Sequence, residues 1–226
     1  MRQTACFALA TVIVGLLRSA QAQPTDDDLR IYAVTVVKTP PFEKQITGYG
    51  IYLGQGIVIT AAHVVGHWPF LTHPRVLIAG QDLPAKIIKK GSFETTDLAL
   101  LSVDEAKLPI SLRLRRNPLC SEPPSVGTEV IDVVPEETTR ARIISPLSIA
   151  LQFRRRFDTL IDSAKGSGSG LFDAERKCLV GVISAKVQKY HSKLENVRIR
   201  GYADGYAGYF ESAATIAKFI PSDLHR

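Results

Sequence analysis

The sequence predicts an all-β chain, folded as two six-stranded antiparallel barrels with a short C-terminal helix. Three observations predict it. Short strand-like runs recur at close intervals with Gly and Pro between them, the pattern of antiparallel barrels rather than of strands alternating with helices. A stretch with prolines, arginines and no regular period, residues 108–124, splits the runs into two groups of six. The last run, residues 212–220, has helical spacing, Ser212 as a candidate cap and Pro221 as a stop. No period of 20 to 50 residues recurs, which excludes a repeat array.

In chain order, residues 1–22 read as a secretory signal peptide. Arg2 is its positive start, residues 6–17 are apolar but too short to span a bilayer, and Ala20-Gln21-Ala22 is a small-x-small cleavage site. The mature chain is thus expected to be secreted or periplasmic, with no membrane anchor after cleavage. Residues 23–29 are polar and acidic, and a mobile N-terminus is expected there. The first barrel falls at about residues 30–107, with strands at 30–38, 48–53, 57–60, 75–79, 85–89 and 98–103. Residues 108–124 are the crossover. The second barrel falls at about 125–220, with strands at 126–134, 139–145, 158–162, 170–172, 179–185 and 205–210.

Of 226 residues, 45% are hydrophobic, the content of a globular chain and not of a disordered one. The net charge of +6 becomes +4 without residues 1–22, which hold Arg2, Arg18 and no acid. The remaining cations are dispersed, apart from Arg113-Leu114-Arg115-Arg116 and Arg154-Arg155-Arg156. No nucleic-acid motif accompanies them, so a solvated basic surface is expected and nucleic acid is not an expected partner. After the signal peptide only Cys120 and Cys178 remain. Two cysteines in an exported chain are read as a disulfide. No HExxH or CxxC occurs, and the remaining histidines lack ligand-like companions, so no metal and no cofactor are expected.

The chemistry centres on Lys165-Gly166-Ser167-Gly168-Ser169-Gly170. Strand-like runs flank this stretch closely, so it reads as a tight loop presenting a serine rather than as a linker. Gly-x-Ser-x-Gly fails, because Lys165 precedes Ser167 by two and Ser167 precedes Ser169 by two; an α/β-hydrolase elbow is disfavoured. A serine needs a base, and the base needs an orienting acid. Upstream, an apolar run from Ile57 ends in Thr60-Ala61-Ala62-His63, and Asp97 opens the run Leu98-Ala99-Leu100-Leu101. Singly, each is an ordinary strand-end or turn residue. In the order His63, Asp97, Ser167 they read as a catalytic set.

These blocks resemble trypsin/chymotrypsin-fold serine endopeptidases, especially compact bacterial ones such as the Deg-type proteases and the secreted glutamyl endopeptidases. The likeness rests on Gly48-Tyr49-Gly50 through Thr60-Ala61-Ala62-His63, on Asp97-Leu98-Ala99-Leu100-Leu101, and on Ser167-Gly168-Ser169-Gly170 with the strand after it. It implies peptide-bond hydrolysis of protein or peptide substrates by Ser167, His63 and Asp97 through an acyl-enzyme. It places the oxyanion at the N–H groups of Lys165 and Ser167, with Lys165 standing where the family has glycine. It also implies that Ser184, Ala185 and Lys186 pair with an extended substrate, and that Asp162 lies by the pocket for the residue before the scissile bond. With Gly166 before the serine, no acid stands there to receive a new N-terminus. The alternative is a catalytically weak protein of this fold that binds peptides or anionic partners.

Overall fold

The computed structural model describes residues 25–38, 46–66, 74–195 and 198–224, with the backbone alone for 46 and 190–204. The expected signal peptide lies outside the described residues. All strand pairs are antiparallel and form two sheets. The first holds β1 (Ala33–Lys38), β2 (Ile46–Gly54), β3 (Ile57–Thr60), β4 (Arg75–Ile78), β5 (Gln81–Pro84), β6 (Lys86–Ser92) and β7 (Thr96–Ser102). Their order, β5-β4-β1-β2-β3-β7-β6, makes a seven-stranded half-barrel. The second holds β8 (Glu129–Val133), β9 (Thr138–Ile144), β10 (Leu160–Ile161), β11 (Gly170–Asp173), β12 (Leu179–Glu195) and β13 (Arg198–Ser212). It closes into a six-stranded barrel, β10-β13-β12-β11-β8-β9.

The double-barrel plan matches the expectation, with local differences. The extra strand of the first sheet, β5, is short, polar and ends in Pro84. An edge strand tolerates that proline, and its composition gives no strand signal. In the crossover, Pro109 leads into the short helix α2 (Ile110–Arg113), a single turn too brief to show a period. The N-terminal segment expected to be mobile forms instead a 3-10 turn, Asp26–Tyr32. Asp26 anchors it, accepting from Lys177 at 2.6 Å and Arg140 at 2.9 Å on the second barrel. The hairpin of β12 and β13 runs far beyond the expected ends at 185 and 205. Its extension is rich in Lys, Arg and Tyr, which break the apolar alternation used to trace strands.

Packing explains how two sheets make one site. The inward side chains of the first sheet, among them Val34, Val36, Tyr52 and Leu101, form one core, and Val130, Ile143, Leu171 and Phe210 belong to the core of the second. A third cluster joins the sheets: Ile51, Ile59, Leu98 and Leu100 meet Ile131, Val133, Phe172 and Val182. Strand β7 therefore buries both faces, Ala99 and Leu101 one way, Leu98 and Leu100 the other. Each of these leucines contributes roughly 1.5–3 kcal/mol when fully buried. α3 (Ala213–Phe219) seals this junction with Ile216 and Phe219, and the Ser212 hydroxyl caps it by accepting from the Thr215 N–H. A Cys120–Cys178 disulfide with a Cα–Cα distance of 5.1 Å ties the crossover to the start of β12. No helix among the described residues is long and apolar enough to cross a membrane.

Candidate active site

His63 lies in α1 (Ala62–Val65), one turn directly after β3. Asp97 lies near the start of β7, the neighbour of β3. That adjacency brings residues 34 positions apart into contact. His63 Nδ1 lies 2.7 Å from Asp97 Oδ2, and the His63 backbone N–H donates to Asp97 Oδ1 at 3.0 Å. The acid partner keeps the proton on Nδ1 and leaves Nε2 as the basic nitrogen. From the second barrel, the Ser184 hydroxyl donates to Asp97 Oδ2 at 2.6 Å. Burial pushes the Asp97 carboxyl up, but the His63 and Ser184 bonds outweigh it and leave it below the usual carboxylate range. Ser184, expected only as a substrate contact, also helps keep this acid ionised.

Ser167 enters from the second barrel, on the loop before β11. Tyr49 of β2 docks that loop. The Tyr49 N–H donates to the Ser167 carbonyl at 3.0 Å. Gly168 lies at φ +89°, and a Cβ there would collide with the Tyr49 carbonyl oxygen, so only glycine fits. Ser169 is fully buried, with its hydroxyl on the Gly166 carbonyl at 2.9 Å. Ser167, by contrast, lines a cleft of about 450 Å³ with His63, Phe93, Lys165, Gly166, Ile183, Ser184, Ala185 and Lys186. Its hydroxyl donates to the Ser184 carbonyl at 3.0 Å rather than to His63.

The Lys165 N–H does not face the cleft. It donates to Asp132 Oδ2 at 2.7 Å beneath the loop. Asp132 on β8 is 1% exposed, and its Oδ1 has no partner. Burial raises its carboxyl above the usual range, only partly opposed by the nearby Ser169 hydroxyl and by the Lys165 N–H. Lys165 is not among the residues at positive φ, so its Cβ carries no strain here, and its ammonium pairs with Glu137 at 2.7 Å. The N–H groups of Gly166 and Ser167 meet no acceptor among the described residues.

Of the expected substrate contacts, Ser184, Ala185 and Lys186 line the cleft. β11 pairs with β12 only as far as Val182, which leaves that edge of β12 open beside them. Asp162 does not line the cleft. Its carboxylate accepts the Arg142 N–H at 3.0 Å and so is spent on β9. Close to Asp162 in the sheet, Gly208 packs against Ile161 and Ala164 so closely that a Cβ on it would lie 2.6 Å from the Ala164 Cβ. Sequence reasoning missed Asp132, Tyr49, Phe93 and Glu211. Phe93 lies edge-on to His63 at 6.1 Å, backed by Arg156 at 4.7 Å from its ring. Tyr49 lies inside the Gly48-Tyr49-Gly50 block without any sign of its role, and the others carry no local motif, because each acts on a residue distant in sequence. Among the described residues, no group of three or more His, Cys, Asp or Glu is spaced to hold a metal ion.

This geometry sits on the trypsin/chymotrypsin fold. The Rv3671c protease from M. tuberculosis, in its active form, superposes with TM-score 0.58 at 18% identity, over 97% of this chain and 90% of that one. Kallikrein-related peptidase 10 does so with TM-score 0.58 at 15% identity, over 89% of this chain and 98% of that one. The MamO protease domain from Magnetospirillum magneticum gives TM-score 0.53 at 17% identity, over 86% and 98%. No protein-family profile matches the chain, and no curated protein sequence does. The shared property is therefore the fold, which in these neighbours is that of peptidases.

Proposed function

We propose that the protein is an exported serine endopeptidase that hydrolyses peptide bonds through an acyl-enzyme on Ser167. The observation that carries this reading is the Asp97 carboxylate holding both the ring and the backbone of His63, in the cleft that Ser167 lines. The Ser167 hydroxyl turns from the Ser184 carbonyl to His63 Nε2, which takes its proton as Oγ attacks the substrate carbonyl. His63 then passes that proton to the leaving amine, and water repeats the sequence to release the acid. Asp97 stabilises the imidazolium between the two transfers. The Ser167 N–H faces the oxyanion, joined by the Lys165 N–H once that group leaves Asp132. The open edge of β12 at Ser184, Ala185 and Lys186 receives an extended peptide by strand addition. The signal-like residues 1–22 and the Cys120–Cys178 disulfide support export to an oxidising compartment.

A second reading has its own observation. With the Lys165 N–H on Asp132 and the Ser167 hydroxyl on Ser184, the serine side is satisfied internally. That arrangement suits a weakly active peptide-binding protein. A fluorophosphonate probe on the purified mature chain separates the two. Endopeptidase chemistry predicts labelling at Ser167, its abolition in Ser167→Ala and its persistence in Ser169→Ala. A wild-type chain that takes no probe favours the binding protein, and labelling that survives Ser167→Ala removes the assigned nucleophile.

A further inference from the structure

We infer that Glu211 is a positioning residue for the catalytic set, acting through the backbone of Asp97. The proposed machinery is divided between two sheets. His63 and Asp97 belong to the first and Ser167 to the second, so the distance from His63 to Ser167 depends on how the sheets register. The apolar cluster between them is non-directional; the Tyr49 N–H on the Ser167 carbonyl ties the serine loop to β2, which leaves the placing of Asp97, and through it His63, to other polar contacts. Two hydrogen bonds across the junction end on Asp97. One is from the Ser184 hydroxyl of β12 to the carboxylate. The other runs from the Asp97 N–H to Glu211 Oε1 of β13, at 2.9 Å across 114 residues of sequence. β12 and β13 are paired neighbours, with Val182 opposite Glu211. They therefore grip one residue from two sides, side chain and main chain.

Glu211 is 6% exposed, and so is an expensive acid to bury. Alanine or leucine would fill the strand without that cost, but would leave the buried Asp97 N–H without an acceptor. The charged and titratable groups facing it are Asp97 from β7, Asp158 from the loop before β10 and Tyr209 on its own strand. Burial and the neighbouring acids push its carboxyl up, while Asp97 is pushed down. The two acids are thus shifted in opposite directions, which favours the negative charge on Asp97, where an imidazolium can use it. The required property of Glu211 is an acceptor oxygen at the end of a chain of this length, not a charge.

The proposal rests on the peptidase reading, and its test has an arm that does not. Glu211→Gln keeps the acceptor, and Glu211→Met keeps the bulk and loses it. In the mature protein, the Gln variant is expected to hold kcat and KM near wild type. The Met variant is expected to lose about 10- to 100-fold in kcat with KM little changed, the scale of a small misplacement of catalytic groups. The low-field proton resonance of His63 Nδ1, which needs no turnover, should persist in the Gln variant and vanish in the Met variant. If the Met variant does not fold, Glu211→Asp, which withdraws the carboxyl by one methylene, replaces it with the same expectation. A wild-type protein without hydrolysis or probe labelling would defeat the peptidase reading while the resonance still decided the positioning role. An unchanged resonance in the variant without the acceptor, or a Gln variant as impaired as it, overturns the inference.

Discussion

Asp97 and Asp132 are both buried aspartates, 2% and 1% exposed, one on each sheet and each beneath the same cleft. Asp97 meets the His63 ring, the His63 N–H and the Ser184 hydroxyl, and its carboxyl falls below the usual range. Asp132 has the Lys165 N–H and one oxygen without a partner, and its carboxyl rises. Burial alone does not fix the charge of an acid; the number of donors aimed at it does. The difference divides the site in two. On the peptidase reading, the half made by His63 and Asp97 is the acid–base half, and its hydrogen bonds are complete. On the serine half, a backbone donor expected for the oxyanion is held by a carboxylate short of partners.

The comparison breaks most sharply under matched substitutions. Asp97→Asn removes the acid that sets the His63 tautomer and should lower kcat by about 10⁴-fold. Asp132→Asn leaves a weaker acceptor for the Lys165 N–H, so kcat/KM should hold or rise. Steady-state kinetics on one peptide substrate tests both, and an Asp132→Asn loss as deep as that of Asp97→Asn would make Asp132 part of the machinery.

The opposite shifts also give opposite pH dependences of stability. The folded pKa of Asp97 is lowered, so its contribution is complete above the unfolded value of 3.8 and is lost as pH falls below it. The folded pKa of Asp132 is raised, so stability drains as pH climbs from 3.8 through that value. Relative to wild type, Asp132→Asn should gain Tm as pH rises above 3.8, whereas the deficit of Asp97→Asn should stay constant there and shrink only at lower pH. Parallel curves for wild type and Asp132→Asn across the acid range would show that the partner-poor oxygen does not matter.

The smallest expected effect is at Lys165. Glycine there opens backbone angles closed to lysine and eases the turn of the N–H toward the cleft, so kcat/KM should rise a few-fold. The Lys165–Glu137 pair is largely exposed, and its loss costs only about 0–1 kcal/mol. Lys165→Ala should therefore stay near wild type. If the Gly and Ala variants are slowed equally, the ammonium itself contributes and backbone freedom does not.

By itself, the sequence determined the parts whose signals are local. Alternation and punctuation gave the double-barrel plan, Ser212 and Pro221 bracketed α3, and Cys120 and Cys178, expected as a pair, are joined in the structure. Placement at the ends of strands singled out His63 and Asp97, because one closes an apolar run and the other opens one. The short polar β5 and the extension of the β12–β13 hairpin past residues 185 and 205 were illegible, because pairing with neighbours, not their own residues, makes them strands. Only the tertiary structure decided what each polar group meets. The spending of Asp162 on Arg142, the hold of Asp132 on Lys165 and the grip of Glu211 on Asp97 each join residues 20 to 114 positions apart. Such contacts carry no periodicity and no motif. They follow from which buried donor lies within about 3 Å of which acceptor once the two sheets have packed.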